Sequence, residues 1–264
     1  MTTPSPSSVP AVGIRTGRIG APIRILLLGQ EKVGKTTFCA AAPAPVFLDA
    51  ESGSGFIDVP RLEFQSGLAP KSLAEIIGAL TWLGKELHDF ATLVIDTADA
   101  LEAIIWRDLC ARNGWDTIEK PGYGKGYVAA VEDWRRLLAI CDRLREVRGM
   151  GIILTAHTTI KNFANPAGED YSRFEPCLHK QAANVIKGWA DCILFASHED
   201  LADKKSGKAV TTGRRVLRTQ RDPAWDAGNR LGLPPVIPLD WTAFAQAGKL
   251  QGVLMYGDDQ NASA

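Results

Sequence analysis

The chain has 264 residues, 45% of them hydrophobic, and its 30 Lys and Arg are balanced by 30 Asp and Glu. That is enough apolar material for one substantial core, while the neutral balance argues neither for nor against nucleic acid and requires any basic site to be local. No apolar run approaches the ~20 residues that span a bilayer, and five cysteines at 39, 110, 141, 177 and 192, odd in number and without a CxxC, fit free thiols of a reducing cytoplasm rather than a disulfide framework.

In chain order, residues 1–20 ("MTTPSPSSVPAVGIRTGRIG") are rich in Ser, Thr, Pro and Gly and lack an apolar h-region. They read as a flexible tail, not a targeting signal. "IRILLL" (23–28) predicts a buried strand and "VFLDA" (46–50) a second. Leu73, Ile76, Ile77, Leu80, Leu83 and Leu87 follow the 3.6-residue period of an amphipathic helix. "TLVID" (92–96) is a third strand, and Leu101, Ile104, Ile105 and Leu109 mark another helix. A long helix follows, from Val128 to Val147, stopped by Gly149. "GIILTAH" (151–157) and "DCILFAS" (191–197) are further strands, and "RRVLRT" (214–219) is an edge strand or hairpin arm.

Continuous apolar strands separated by helices predict a three-layer α/β fold with a mainly parallel sheet and a late antiparallel hairpin. One domain is expected over 21–245, with a C-terminal tail at 246–264. Three stretches, 51–70, 114–127 and 158–180, read as long loops, and loops of that length in a compact domain are usually functional or disordered. In parallel α/β sheets ligands bind beyond the carboxyl ends of the strands.

Gly29-Gln30-Glu31-Lys32-Val33-Gly34-Lys35-Thr36 matches G-x-x-x-x-G-K-[ST] at every fixed position, between a strand and a helix. The glycines let backbone N–H groups wrap phosphate oxygens, and the helix starting near Lys35 adds its positive end. The Lys35 ammonium reaches the β- and γ-phosphates, the Thr36 hydroxyl ligates Mg²⁺, and Thr37 stands beside the α-phosphate. The cofactors predicted are ATP and Mg²⁺. A P-loop needs a carboxylate near the metal, and Asp96 ends the apolar strand "LVID" where such a Walker B residue belongs. No cysteine–histidine spacing fits zinc.

Taken with "FLDAESG" after the second strand, the layout resembles the RecA core, a P-loop ATPase fold. From about 20 to 245 the chain is similar to phage nucleotide-binding proteins of the RecA-like ATPase group, some of them single-strand annealing or recombination proteins. The motifs that carry the likeness are "GQEKVGKTT", "FLDAESG", "LVIDTADAL", "YGKGY", "LTAH" and "RTQRDPAWDAGNR". The resemblance implies that Glu51 is the catalytic carboxylate that orients water, with Asp49 the alternative. It implies that His157, where the family often has Gln, senses the γ-phosphate and signals to the loop that follows.

Single-stranded DNA is the partner this reading expects, together with self-association into a ring or filament. A single-strand-binding protein is a further partner it admits, and the setting would be a host cytoplasm if the chain is phage-encoded. The first candidate DNA loop carries Trp115, Lys120, Tyr123, Lys125 and Tyr127, and the second carries Lys161, Phe163 and Arg173. Aromatics among cations suit sequence-tolerant stacking and phosphate contact. Residues 203–221 hold seven Lys and Arg against one Asp, which reads as a solvated hairpin, a phosphate track or a trans site. Arg218 and Arg221 are the candidates to enter a neighbouring subunit's active site and stabilise transition-state charge. A replicative helicase or loader, and a nucleotide-gated partner-binding protein without a DNA role, are the alternatives.

Overall fold

The computed structural model describes residues 13, 14, 16, 20–166, 168–202 and 209–250. Most of the expected N-terminal tail, residues 251–264 of the expected C-terminal tail, and Lys204, Lys205 and Lys208 of the basic segment lie outside them. The first strand, β1, is Arg24–Gly29. It is followed by α1 Lys35–Ala40, β2 Pro45–Asp49, α2 Leu73–Lys85, β3 Thr92–Asp96, α3 Ala98–Asn113 and α4 Lys125–Arg148. The second half runs β4 Gly151–Phe163, β5 Tyr171–Pro176, α5 Lys180–Trp189, β6 Cys192–Ala202, β7 Ala209–Arg218, β8 Gly228–Asn229, β9 Val236–Pro238 and α6 Trp241–Leu250.

The sheet order is β2-β3-β4-β1-β6-β7-β9, with β5 paired to β4 and β8 to β6. From β2 to β6 every neighbour is parallel, and β7 and β9 close the sheet antiparallel. Strand β1 sits centrally because both of its faces are apolar. Leu26 and Leu28 belong to the core shared with α2, α3, α4 and α5, and Ile25 and Leu27 to the opposite core with Phe38 of α1 and Phe244 of α6. This alternation is the period of two expected of a strand buried on both sides. The fold is the expected three-layer α/β arrangement with a mainly parallel sheet and a late antiparallel part.

Local capping sets the helices that frame the site. Ser72 caps α2 by accepting from Glu75 N, and Thr97 caps α3 by accepting from Ala100 N, each satisfying a donor the helix start would orphan. Thr97 follows Asp96 directly, so the end of β3 and the start of α3 are one turn.

One of the three expected loops is built differently, and a second ends three residues early. In 158–180, β4 continues to Phe163 and returns as β5, paired residue for residue from Thr158 opposite Pro176 to Phe163 opposite Tyr171. The sequence carries the reason: Thr158, Thr159 and Ile160 are β-branched, and such residues suit a pleated surface. In 114–127, turns lead into α4, which begins at Lys125. Gly126 is required there, because a Cβ at that position would lie 1.8 Å from the Ile118 carbonyl oxygen. Of the edge strand or hairpin arm expected at 214–219, the structure has the hairpin arm: β7 pairs antiparallel with β6, and β9 pairs beyond it.

Candidate active site

The turn from β1 to α1 wraps the carboxyl end of β1. Gly29 packs so closely on β6 that a Cβ would meet the Ala196 carbonyl oxygen at 2.8 Å. Gly34 has φ +107, a backbone state glycine adopts without penalty. Lys35 is only 5% exposed, and its Nζ donates to the carbonyls of Gly29 (3.0 Å) and Gln30 (2.9 Å). Burial lowers the Lys35 pKa, while the charges of Asp96, Asp99 and Glu51 act the other way. A buried ammonium bonded to turn carbonyls is a cation available to an incoming anion.

Oxygen ligands converge beside it. The Thr36 hydroxyl donates to Asp96 Oδ2 at 2.8 Å, and the Thr155 hydroxyl of β4 donates to Asp96 Oδ1. Burial raises the Asp96 pKa, against the two threonine hydrogen bonds. A hydroxyl and a carboxylate oxygen side by side are the hard donors Mg²⁺ takes when its other ligands are phosphate and water, so Thr36 and Asp96 fit that ion.

Asp49 and Glu51 part company at the end of β2. Asp49 is buried and accepts from Gly53 N, Ser54 N and the Ser54 hydroxyl. Its oxygens are spent on folding the 51–70 segment, which Arg61 also ties down through Ser54, Ile57 and Val59. Glu51 instead reaches the cleft, where Oε1 accepts from the Thr97 hydroxyl at 2.7 Å and lies 3.5 Å from His157 Nδ1. His157 also meets Asp99 of α3, through its backbone N and its Nδ1, both at 2.9 Å. Hydrogen bonding to Asp99, then to Glu51, lifts the imidazole pKa to about 9, so the ring carries a positive charge at neutral pH.

These groups share one cavity of about 700 Å³, lined by Glu31, Lys32, Gly34, Lys35, Thr36 and Thr37 of the turn and by Asp49, Glu51, Asp96, Asp99 and His157. Arg215 of β7 completes the wall, its Nη1 3.4 Å from the Val33 carbonyl. Val33 is itself buried, and Gln30 lines a neighbouring cavity. Asp99, Thr97, Thr155 and Arg215 were not singled out from the sequence. Asp99 stands one helical turn beyond Asp96 in "DTAD", the only local signal for it.

Arg218 and Arg221 do not line this cavity. Arg218 donates from Nε to the Ser197 hydroxyl at 3.2 Å and holds its guanidinium 4.4 Å from the Trp225 ring. Arg221 is exposed. The DNA candidates divide by burial. Trp115 packs against the core. Tyr127, in the first turn of α4, stacks on His179 at 4.2 Å and donates its hydroxyl to Glu119. Lys120 pairs with Asp116, whereas Tyr123 is 101% exposed and Lys125 and Lys161 are also exposed. Phe163 meets Tyr171 at 5.2 Å. Arg173 is buried in an ion pair with Asp226, so it is a structural cation and not an open phosphate contact.

Fold and site together define a P-loop nucleotide-binding protein of α/β architecture. The family model for an AAA domain matches residues 21–231, and the chain belongs to that family. No curated protein sequence matches it. Among solved structures, it is similar to a crystal structure of the RadB recombinase, at 12% identity over 85% of this chain and 90% of that one, with a TM-score of 0.45. Among the described residues, no helix is long and apolar enough to cross a membrane.

Proposed function

We propose that the protein binds ATP with Mg²⁺ in this cleft, hydrolyses the β–γ bond, and couples nucleotide state to single-stranded DNA in recombination or annealing of the kind phages carry out. The observation that carries the ATPase reading is the meeting of Lys35, Thr36, Asp96, Glu51 and His157 in one cavity. They arrive from α1, β3, the end of β2 and β4. Magnesium held by Thr36 and Asp96 would neutralise charge on the phosphates. Lys35 turns from the Gly29 and Gln30 carbonyls toward phosphate oxygen, Glu51 orients the attacking water, and His157 lies where the terminal phosphate is sensed. Such reactions depend on positioning and electrostatics more than on covalent chemistry.

The DNA part rests on the exposed Tyr123, Lys125 and Lys161, and on β4, which runs from His157 directly into the hairpin. ATP hydrolysis by the purified protein is expected to rise with single-stranded DNA and to vanish in Lys35→Ala, which removes the buried cation. Hydrolysis indifferent to DNA, with no DNA binding in ATP or a non-hydrolysable analogue, would instead support nucleotide-gated binding of another partner. The inward-turned Trp115 and Tyr127 favour that second reading.

Arg218 and Arg221 stand outside their own subunit's cleft, as residues serving a neighbour must. A ring or filament with ATP between subunits would bring them to a neighbour's cleft. Under assembly conditions, removing the acting arginine is expected to slow turnover by roughly 10³-fold or more with ATP binding kept. Normal turnover in both Arg218→Ala and Arg221→Ala would exclude the trans role.

A further inference from the structure

His157 is gripped at two points by a single carboxylate. Asp99 Oδ1 accepts from its backbone N and Asp99 Oδ2 meets its ring Nδ1, both at 2.9 Å. The same Nδ1 lies 3.5 Å from Glu51 Oε1, and Glu51 is held from the other side by the Thr97 hydroxyl at 2.7 Å. Thr97 and Asp99 are both supplied by the start of α3, so one helix end fixes two partners of the cluster. His157 lines the nucleotide cavity, and among the described residues its Nε2 has no hydrogen-bond partner.

We propose that Asp99 is a positioning residue that clamps the His157 ring through Nδ1, so that the imidazolium holds the Glu51 carboxylate in its water-orienting place and offers Nε2–H to the nucleotide. This rests on the reading of Glu51 as the carboxylate that orients water. The clamp sets the ring plane and favours the doubly protonated ring. A neutral ring hydrogen-bonded to Asp99 through Nδ1–H has a lone pair on Nε2 and would repel a phosphate oxygen, whereas the doubly protonated ring donates at both ends. The side-chain N and O atoms of Glu51, Asp99 and His157 lie within 4.8 Å of one another, so the charge on the ring, whose Nδ1–H is donated to Asp99, also holds Glu51 at 3.5 Å.

The charged groups facing the ring are Asp99 from α3, Glu51 from the segment after β2 and Lys35 from α1, with Cys177 beside it after β5. The carboxylates outweigh Lys35 and lift the imidazole to about 9 from its ordinary 6.5. A raised folded-state value means that the stabilisation is complete below about 6.5 and is lost as pH rises through about 9.

Nuclear magnetic resonance titration of His157 in the nucleotide-free protein tests the clamp apart from turnover. The wild-type ring is expected to titrate near 9, and in the nearly isosteric Asp99→Asn its midpoint should fall by about one unit or more. In steady-state assays Asp99→Asn should lower kcat roughly 10- to 100-fold through misplacement, with ATP affinity little changed, and Asp99→Glu should restore part of kcat. A wild-type ring titrating at its ordinary value overturns the proposal, as does an Asp99→Asn protein with midpoint and kcat unmoved. A wild type without ATPase activity whose ring nonetheless titrates as expected would sink the hydrolytic function and leave the clamp standing as a binding device.

Discussion

Glu51→Gln is expected to keep ATP binding and to slow hydrolysis by about 10²- to 10⁴-fold, or ~3–5 kcal/mol of barrier. The amide oxygen can still accept from the Thr97 hydroxyl, so the side chain should stay where the structure places it, 2.7 Å from Thr97. Among the described residues, Lys35, Thr36 and Asp96 make no hydrogen bond to Glu51's oxygens, so the phosphate cradle should survive. What is lost is the negative charge that faces His157 and that, in the proposed mechanism, orients water. Binding of a fluorescent ATP analogue together with phosphate release separates the two effects. Unchanged turnover would remove Glu51 from the reaction. Asp49 would be a poor replacement, because its oxygens already accept from Gly53 and Ser54.

Trp134→Ala should be the most damaging core substitution, at about 3–5 kcal/mol, which corresponds to a fall in Tm of roughly 10 °C for a chain of this size. Trp134 is 1% exposed on α4, in the core between the helices and the sheet. Truncation leaves a cavity that neighbours from α2, α3 and β4 fill only in part. Trp82 provides the contrast. It is 48% exposed on α2, with His88 its ring neighbour at 6.4 Å, and Trp82→Ala should cost within about 0.5 kcal/mol. Thermal or urea unfolding of the two variants side by side checks both figures, and equal losses would mean that α4 does not anchor the core.

The parts of the molecule legible from sequence are those whose chemistry is local. Gly29 to Thr36 is a contiguous motif, and Asp96 ends a strand of five buried residues, so neighbours along the chain announce them. The loop readings failed where a pattern of another period was present. Thr158 to Phe163 opposite Tyr171 to Pro176 is a strand pair, but its faces are half exposed and its apolar content is low. Tyr127 looked like an open aromatic because the helix start at Lys125 was not recognised; its stacking partner, His179, is supplied from 52 positions further on, just before α5. The same limit hid Asp99 and Arg215. Each acts on a residue far away in the chain, His157 and Val33 respectively, and such pairings depend on sheet order rather than on spacing.

The unbroken course of β4 has a bearing on how relatives of this chain can differ in length. Thr155, which touches Asp96, and His157, which touches Asp99, are two residues apart and share a side of the strand. The strand then continues, fully paired, to Phe163. One residue inserted or deleted between Thr155 and Phe163 would turn every later side chain to the opposite face, placing the hairpin out of phase with the site. Insertions and deletions should therefore be confined to the stretch between Phe163 and Tyr171, while the stem keeps its residue count even where its composition drifts.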